Sequence, residues 1–141
     1  MEPLYLDWDL EDRRKAVSFL PLFESPAFKP CEWVTPEPRE VDGTVVHSLG
    51  WPEYDPRVYE FLGLAWNTAG IDPYEGEPWE PFWVKHCVDP GSFAEASVGD
   101  IRRYLLLLKR RERFGDGSIE AGFKNGTIVS SLRRLKELTP L

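Results

Sequence analysis

The chain contains no glutamine, two asparagines and a single methionine among its 141 residues. A shortage of these chemically labile side chains is typical of heat-stable proteins. Arginine outnumbers lysine by eleven to six, and thirteen prolines stiffen the segments between the predicted helices. The composition therefore predicts a thermophilic source and says nothing about activity.

Long hydrophobic runs are also missing. The longest clean apolar run covers residues 105–108, whereas a membrane-spanning helix needs about 20 apolar residues. The N-terminus carries Glu2, Asp7 and Asp9, and it has neither the positive start nor the apolar core of a secretory signal. We therefore expect a cytoplasmic, bacterial-type protein that does not associate with membranes.

Cysteine and histidine are scarce, with only Cys31, Cys87, His47 and His86. Two cysteines do not make a disulfide framework, and free thiols fit a cytosolic protein. Two cysteines and two histidines match the number of ligands in a zinc site, but the chain lacks the closely spaced ligand pairs, Cys-x-x-Cys and His-x3-His, that are typical of such sites. Neighbours such as His86 and Cys87 point in different directions on a strand, so adjacency does not indicate a catalytic dyad. We predict no metal site, no cofactor and no catalytic residue.

Charge is distributed unevenly along the chain. Residues 1–100 hold 20 acidic and 7 basic side chains, a net charge of −13, and residues 101–141 hold 4 and 10, a net charge of +6. Either the two parts fold against each other and neutralise, or the basic part exposes a surface for an anion. Neutralisation is favoured, because an overall charge of −7 opposes long-range attraction to nucleic acid. Pairing between subunits is a further explanation, and the oligomeric state stays open.

The length and the ordinary composition predict a single domain over residues 1–141. The fold class is mainly α: a bundle of about four to five helices, long proline-rich loops and one small β-hairpin. Asp42-Gly43 is the hairpin turn, with short strands around residues 32–35 and 44–49. The helices cover residues 9–20, which Pro21 ends, then residues 55–70, 97–114 and 118–125, and a last segment from residue 127.

Two of these segments matter most for function. The helix over residues 97–114 is predicted to be central, because its four consecutive leucines cover its whole circumference. Residues 72–89 alternate prolines and aromatics with acids, which predicts an extended loop that lays Trp79 and Trp83 over the core.

Residues 110–117 read Arg-Arg-Glu-Arg-Phe-Gly-Asp-Gly. This segment resembles the C-terminal signature of an uncharacterised bacterial domain family, in which a helix ends in Arg-x-Asp-Arg-Phe-x-Glu/Asp-Gly before a short helix, a glycine and a leucine-rich helix. The matching residues are Arg110, Arg113, Phe114, Asp116, Gly117, Gly126, Leu132 and Leu135. Glu112 replaces the usual aspartate, which argues against strict carboxylate chemistry there. The resemblance implies no established activity.

The charged residues of this segment have two interpretations. In a functional one, Glu112, Arg113 and Asp116 bind a phosphate or polarise a substrate. In a structural one, Arg113 pairs with Asp116 or with helix-end carbonyls, Asp116 caps the next helix, and Phe114 fills the core. The structural interpretation is favoured, because ion-pair networks are common.

The leading hypothesis is a non-enzymatic binding domain for an acidic protein or a small anionic ligand. Basic side chains engage the acid, and aromatic rings supply desolvated contact area. The candidate binding residues are Arg110, Arg111, Arg113, Asp116, Trp79 and Trp83.

Two alternatives remain. One is a small hydrolase or transferase acting on a phosphorylated or nucleotide substrate, in which Arg113 holds the anion and Asp116 or Glu112 acts as base or metal ligand. The other, which the overall acidity disfavours, is weak nucleic-acid binding. Its residues are Arg102, Arg103, Lys109 and Arg110.

Overall fold

The computed structural model describes residues 2–140, and helices dominate it. The mainly α class is confirmed, whereas the expected number of four to five helices was too low, since these residues form seven α-helices. Within residues 2–140, no helix combines the length and the apolarity needed to cross a membrane. The helices are α1 (Leu10–Val17), α2 (Leu20–Glu24), α3 (Pro56–Ala65), α4 (Trp79–Val88), α5 (Val98–Phe114), α6 (Ser118–Lys124) and α7 (Thr127–Leu138).

The two unexpected helices arise from the positions of prolines. Pro21, expected to end a helix, lies in the first turn of α2, while α1 has already ended at Val17. Pro78 precedes α4 and Pro81 is its third residue. The first N–H groups of a helix have no partner within it, so proline costs no hydrogen bond there. The predicted extended loop over residues 72–89 was therefore wrong from residue 79 onward.

Helix α5 is surrounded by the rest of the fold, as predicted. A capping box starts it: Ser97 Oγ accepts from the Asp100 N–H, and the Asp100 carboxylate accepts from the Ser97 N–H, each at 3.1 Å. Residues 105–108 are at most 2% exposed. Helices α3, α4, α6 and α7 all contact α5.

Four short strands form two antiparallel pairs: β1 (Cys31–Val34) with β4 (Trp51–Tyr54), and β2 (Arg39–Val41) with β3 (Thr44–Val46). The predicted turn is confirmed, because Asp42 and Gly43 join β2 to β3 with φ angles of 51° and 79°, but the strand predicted around residues 32–35 is β1, which pairs with β4 and not with β3. An Asp-Gly pair suits such a two-residue turn. The β1–β4 pairing was not predicted. We call residues 31–54 the β-arm.

Arg102, near the start of α5, is a buried anchor for other segments. Its guanidinium donates to the carbonyls of Ala65 (2.9 Å), Asp7 (3.1 Å) and Leu4 (3.3 Å) and to Thr68 Oγ1 (2.9 Å). Burial lowers the pKa of Arg102, which the charges of nearby carboxylates partly offset. The residue is 1% exposed, so it is structural.

Arg103 has a similar role on the next face of α5. It donates to the carbonyl of Pro73 at 2.8 Å and to that of Glu77, and its guanidinium lies 4.5 Å from the centre of the Phe82 ring. The side chain is 3% exposed. The nucleic-acid alternative was therefore wrong for Arg102 and Arg103, because neither guanidinium can reach a phosphate.

Candidate functional site

The C-terminal half of α5 presents its cations to two different surroundings. Successive residues of an α-helix point about 100° apart. Arg110 and Arg111 lie over aromatic rings of the segment that contains α4. Lys109 and Arg113 line a cavity beside the β-arm. The predicted basic helix end therefore consists of two separate sites.

The first site is built around Arg111. Its guanidinium carbon lies 5.0 Å from the ring centre of Trp83 and 5.5 Å from that of Trp79. Both tryptophans are half-buried on α4, one helical turn apart, while Arg111 is exposed. A cation over an indole face is attracted by the ring quadrupole. Three of the predicted binding residues are thus brought together, with the two tryptophans on a helix.

Arg110 extends this site. Its guanidinium carbon lies 5.7 Å from the Tyr74 ring centre and 5.6 Å from that of Phe114. Tyr74 in turn meets Trp79 edge to face at 5.6 Å. Phe114 was expected to fill the core and instead is 79% exposed. We call the six residues the basic-aromatic patch: Tyr74, Trp79, Trp83, Arg110, Arg111 and Phe114.

Tyr74 was not predicted to be a site residue. It lies 36 positions from Arg110 in the sequence, and only the fold shows that the two are neighbours. The available signal was its place in the run of aromatic residues that also contains Trp79 and Trp83.

The positive charge of the patch has no ion-pair partner among residues 2–140. Of the ion pairs there, only the one between Arg133 and Glu24 (2.8 Å) joins the basic last part of the chain to the acidic first part. The others connect residues two to four positions apart. In addition, the Arg110 Nε is buried and has no hydrogen-bond partner in the described chain. Direct neutralisation between the two parts is therefore slight.

Glu112 is occupied by structural hydrogen bonds. One oxygen accepts from the Tyr54 hydroxyl (2.7 Å) and the Ile119 N–H (2.8 Å), and the other accepts from the Gly117 N–H (2.7 Å). Burial, and next the hydrogen bond to Glu112, raise the pKa of Tyr54. Glu112 thus joins α5 to the start of α6 and to the β-arm, so the structure does not support its use as a base.

Arg113 and Asp116 do not make the contacts that the structural interpretation expected of them. Within the described residues they form no hydrogen bond or ion pair with each other, and the N-cap of α6 is Gly117, which has no side chain to cap it. Glu112 instead accepts hydrogen bonds from the N–H groups of Gly117 and Ile119 at the start of α6. The expected bridge and the expected Asp116 cap were therefore wrong.

Arg113 and Asp116 line the second site, a cavity of about 270 Å³ that Tyr54, Tyr59, Lys109 and Glu112 also border. The Lys109 Nζ lies 5.5 Å from the Trp66 ring centre. Burial, and next the nearby charge of Arg113, lower the pKa of Lys109. The lining thus combines two cations that are not ion-paired in the described chain with two carboxylates, and its formal charges balance.

The cysteines and histidines do not form a common site. Among residues 2–140, no three His, Cys, Asp or Glu side chains are grouped so as to hold a metal. The His86 Nδ1 lies 2.9 Å from Ser92 Oγ, and the Cys31 thiol donates to Glu120 at 3.0 Å. Burial, and next that hydrogen bond, raise the pKa of Cys31 to about 12, and burial also raises the pKa of Cys87. A raised pKa disfavours the thiolate, which is the nucleophilic form of cysteine, at neutral pH.

A family model described as "Family of unknown function (DUF6508)" matches residues 9–140. This range contains all seven helices, the β-arm, the patch and the cavity. The match confirms the resemblance to a family without an established activity. No curated protein and no solved structure matches the chain.

Proposed function

We propose that this chain, which belongs to the family of unknown function DUF6508, is a non-catalytic binding domain for an acidic protein segment. The observation that carries the proposal is the placement of the Arg111 guanidinium over the rings of Trp79 and Trp83. Stacking covers the flat face of the guanidinium and leaves the N–H donors at its edge free for a carboxylate. Because the side chain is already held in place, less entropy is lost on binding.

The composition of the patch supports the same function. Tryptophan, tyrosine and arginine are the residues that most often dominate binding energy at protein interfaces. Here they are contiguous, and the exposed ring of Phe114 adds apolar area at the edge. A carboxylate ligand would supply the negative charge that Arg110 and Arg111 lack within residues 2–140. The ligand class that fits is a protein segment in which acids alternate with apolar side chains.

The proposal places the domain in the cytosol of a thermophilic bacterium. Two features support it: both cysteines are free thiols, as in reducing compartments, and labile side chains are rare. Nucleic acid is disfavoured as the ligand, because the molecule carries a net charge of −7.

Charge reversal within the patch tests the proposal. We would titrate the full chain with a fluorescein-labelled peptide of alternating glutamate and tyrosine and follow fluorescence anisotropy. The variant Arg110→Glu/Arg111→Glu is expected to weaken binding by at least about tenfold, because hot-spot arginines contribute that much. Binding by the unmodified chain should also weaken as salt is raised.

A matched variant controls for the change in net charge. Lys15→Glu/Lys136→Glu reverses two exposed lysines of α1 and α7 that lie outside the patch, with the same change in net charge. It should bind the peptide like the unmodified chain. Equal affinity in all three proteins, or equal binding of a lysine-tyrosine peptide, would contradict the proposal.

The cavity beside the β-arm supports a second candidate, a small hydrolase or transferase that acts on a phosphorylated or nucleotide substrate. Lys109 and Arg113 would hold the phosphate, Tyr59 would contact the rest of the molecule, and Asp116 would be the base. Glu112 no longer qualifies as that base, because its oxygens already accept three hydrogen bonds. Hydrolysis of p-nitrophenyl phosphate that Arg113→Ala abolishes would favour this candidate, and absence of any turnover would rule against it.

A further inference from the structure

The outer part of the β-arm is an exposed two-stranded projection. None of residues 35–50 is buried, and only three of them are half-buried. The inner part is attached to the helices, since the Trp33 indole donates to Glu120 at 2.9 Å and the Tyr54 hydroxyl donates to Glu112. The arm thus begins at α5 and α6 and extends away from the core.

Apolar side chains lie along this projection. Val45 is 60% exposed and Leu49 is 91% exposed, and Val41, Trp33 and Trp51 are also exposed. Val45 stands opposite Glu40 and Val41 stands opposite Thr44, so both faces of the outer hairpin present a valine. An isolated two-stranded hairpin is marginally stable in water, and its free edges can accept a further chain. Exposed apolar side chains and free strand edges are typical of a segment that binds another protein chain.

The β-arm is acidic as well as apolar. It contains five carboxylates, Glu32, Glu37, Glu40, Asp42 and Glu53, against one cation, Arg39, which gives a net charge of −4. This is the alternation of acidic and apolar residues that the basic-aromatic patch fits. One chain therefore carries both the patch and a ligand of the matching chemistry.

We infer that the patch of one copy of this chain binds the β-arm of a second copy, in a reciprocal two-fold pair. This inference rests on the proposed function, because it names the partner of the same patch. In such a pair each copy contributes one arm and one patch, so the two contacts are equivalent. Within the described chain only Arg133–Glu24 joins the acidic and basic parts by an ion pair. A second copy offers the opposite charge to both parts at once, which favours it over an unrelated protein as the partner.

Sedimentation velocity on the full chain tests the pairing. The unmodified chain is expected to pass from monomer to dimer between about 1 μM and about 1 mM, at a lower concentration in low salt than in high salt. Two variants are compared with it. The patch-reversed variant is Arg110→Glu/Arg111→Glu, and the arm-reversed variant is Glu37→Lys/Glu40→Lys, which changes two exposed side chains.

Charge reversal makes the test specific to this pair of surfaces. In the arm-reversed variant the net charge of residues 37–42 changes from −2 to +2. Each variant alone therefore brings like charges together in both contacts, so its dimer dissociation constant should rise by at least about tenfold. Mixed in equal amounts, the two variants form heterodimers in which both contacts again join opposite charges. Dimerisation of the mixture should therefore return to within about threefold of the unmodified chain. Circular dichroism checks that each variant is folded.

Three results would overturn the inference: an unmodified chain that stays monomeric, a dimer that neither variant weakens, or a mixture that stays monomeric. The peptide titration separates this failure from failure of the proposed function. If the chain is monomeric but the patch still binds the glutamate-tyrosine peptide, the patch is a binding site for another acidic protein. If peptide binding also survives charge reversal, the proposed function fails too.

Discussion

Glu112 connects three parts of the chain through hydrogen bonds to Tyr54, Gly117 and Ile119. The sequence made this carboxylate conspicuous, because it stands in a charged motif between two helices. It did not show how differently the three charged members of the motif would be used. All three line the cavity, but Glu112 already accepts three hydrogen bonds, whereas Arg113 and Asp116 form no ion pair with each other. The decisive partner, Tyr54, lies 58 positions away, so no local pattern could reveal it.

Replacing Glu112 should therefore lower stability. Glu112→Gln turns the acceptor facing the Gly117 N–H into a donor, and leaving that partly buried group unpaired should lower the free energy of unfolding by about 1 kcal/mol. Urea denaturation measures the change. Glu60→Gln, on the exposed surface of α3, is the matched control and should be neutral. A Glu112→Gln protein as stable as this control would show that the three hydrogen bonds contribute little.

Among the helices and strands, those with local start signals were predictable and those dependent on distant contacts were not. Asp55-Pro56 starts α3, and Ser97 starts α5, through hydrogen bonds within three residues. Helix α4 was missed, because prolines disfavour a helix interior but are tolerated in its first turn. The β1–β4 pair was missed because its strands are separated by a further hairpin. The sequence therefore supplied four of the six patch residues, but neither Tyr74 and Phe114 nor the helix that carries the two tryptophans.

The turn of the β-arm provides a test of one such element. Gly43 has a φ of 79°, so Gly43→Ala is strained even though no atom lies within 4 Å of the added carbon. The strain should open the hairpin and speed amide exchange in residues 39–46 by about fivefold, as expected for roughly 1 kcal/mol. Hydrogen–deuterium exchange with mass spectrometry measures this.

Gly63 is the matched control for that substitution. It also has open space around it, but it lies within α3, where alanine is the better helix former. Gly63→Ala should leave the β-arm unchanged and raise the free energy of unfolding by up to about 1 kcal/mol. Equal exchange in the two variants would show that the hairpin does not depend on the left-handed turn.

Across the whole chain, burial shifts several pKa values in ways that make stability depend on pH. Burial lowers the pKa of His86 below that of an unfolded histidine, so the unfolded chain binds more protons and stability falls as the pH drops below about 6.5. Burial raises the pKa values of Cys31, Cys87, Tyr54 and Tyr104. These four groups contribute fully to the stability of the fold at pH values below their pKa values in the unfolded chain. That contribution is lost as the pH rises past about 8.5.

The thermal midpoint should therefore be highest between about pH 6.5 and about 8.5 and fall on both sides. Differential scanning fluorimetry from below about pH 6.5 to above about pH 8.5 measures the profile. Cys87→Ala removes one buried thiol. The thermal midpoint of this variant should therefore fall less steeply with rising alkaline pH than that of the unmodified chain, whatever the midpoint at neutral pH. An identical alkaline slope would show that this thiol does not contribute.

Arg102 and Arg103 hold the segments around them mainly through main-chain carbonyls. A carbonyl is present whatever the side chain, so this anchorage does not depend on which residues occupy positions 4, 7, 65, 73 and 77. Substitutions at these five positions therefore leave the hydrogen-bond acceptors of the two arginines in place, although buried positions such as Ala65 are still constrained by packing. Deletion has a different effect from substitution. A chain that lost residues 2–7 would leave the buried guanidinium of Arg102 without two of its acceptors, the carbonyls of Leu4 and Asp7. No single substitution in that segment removes these acceptors.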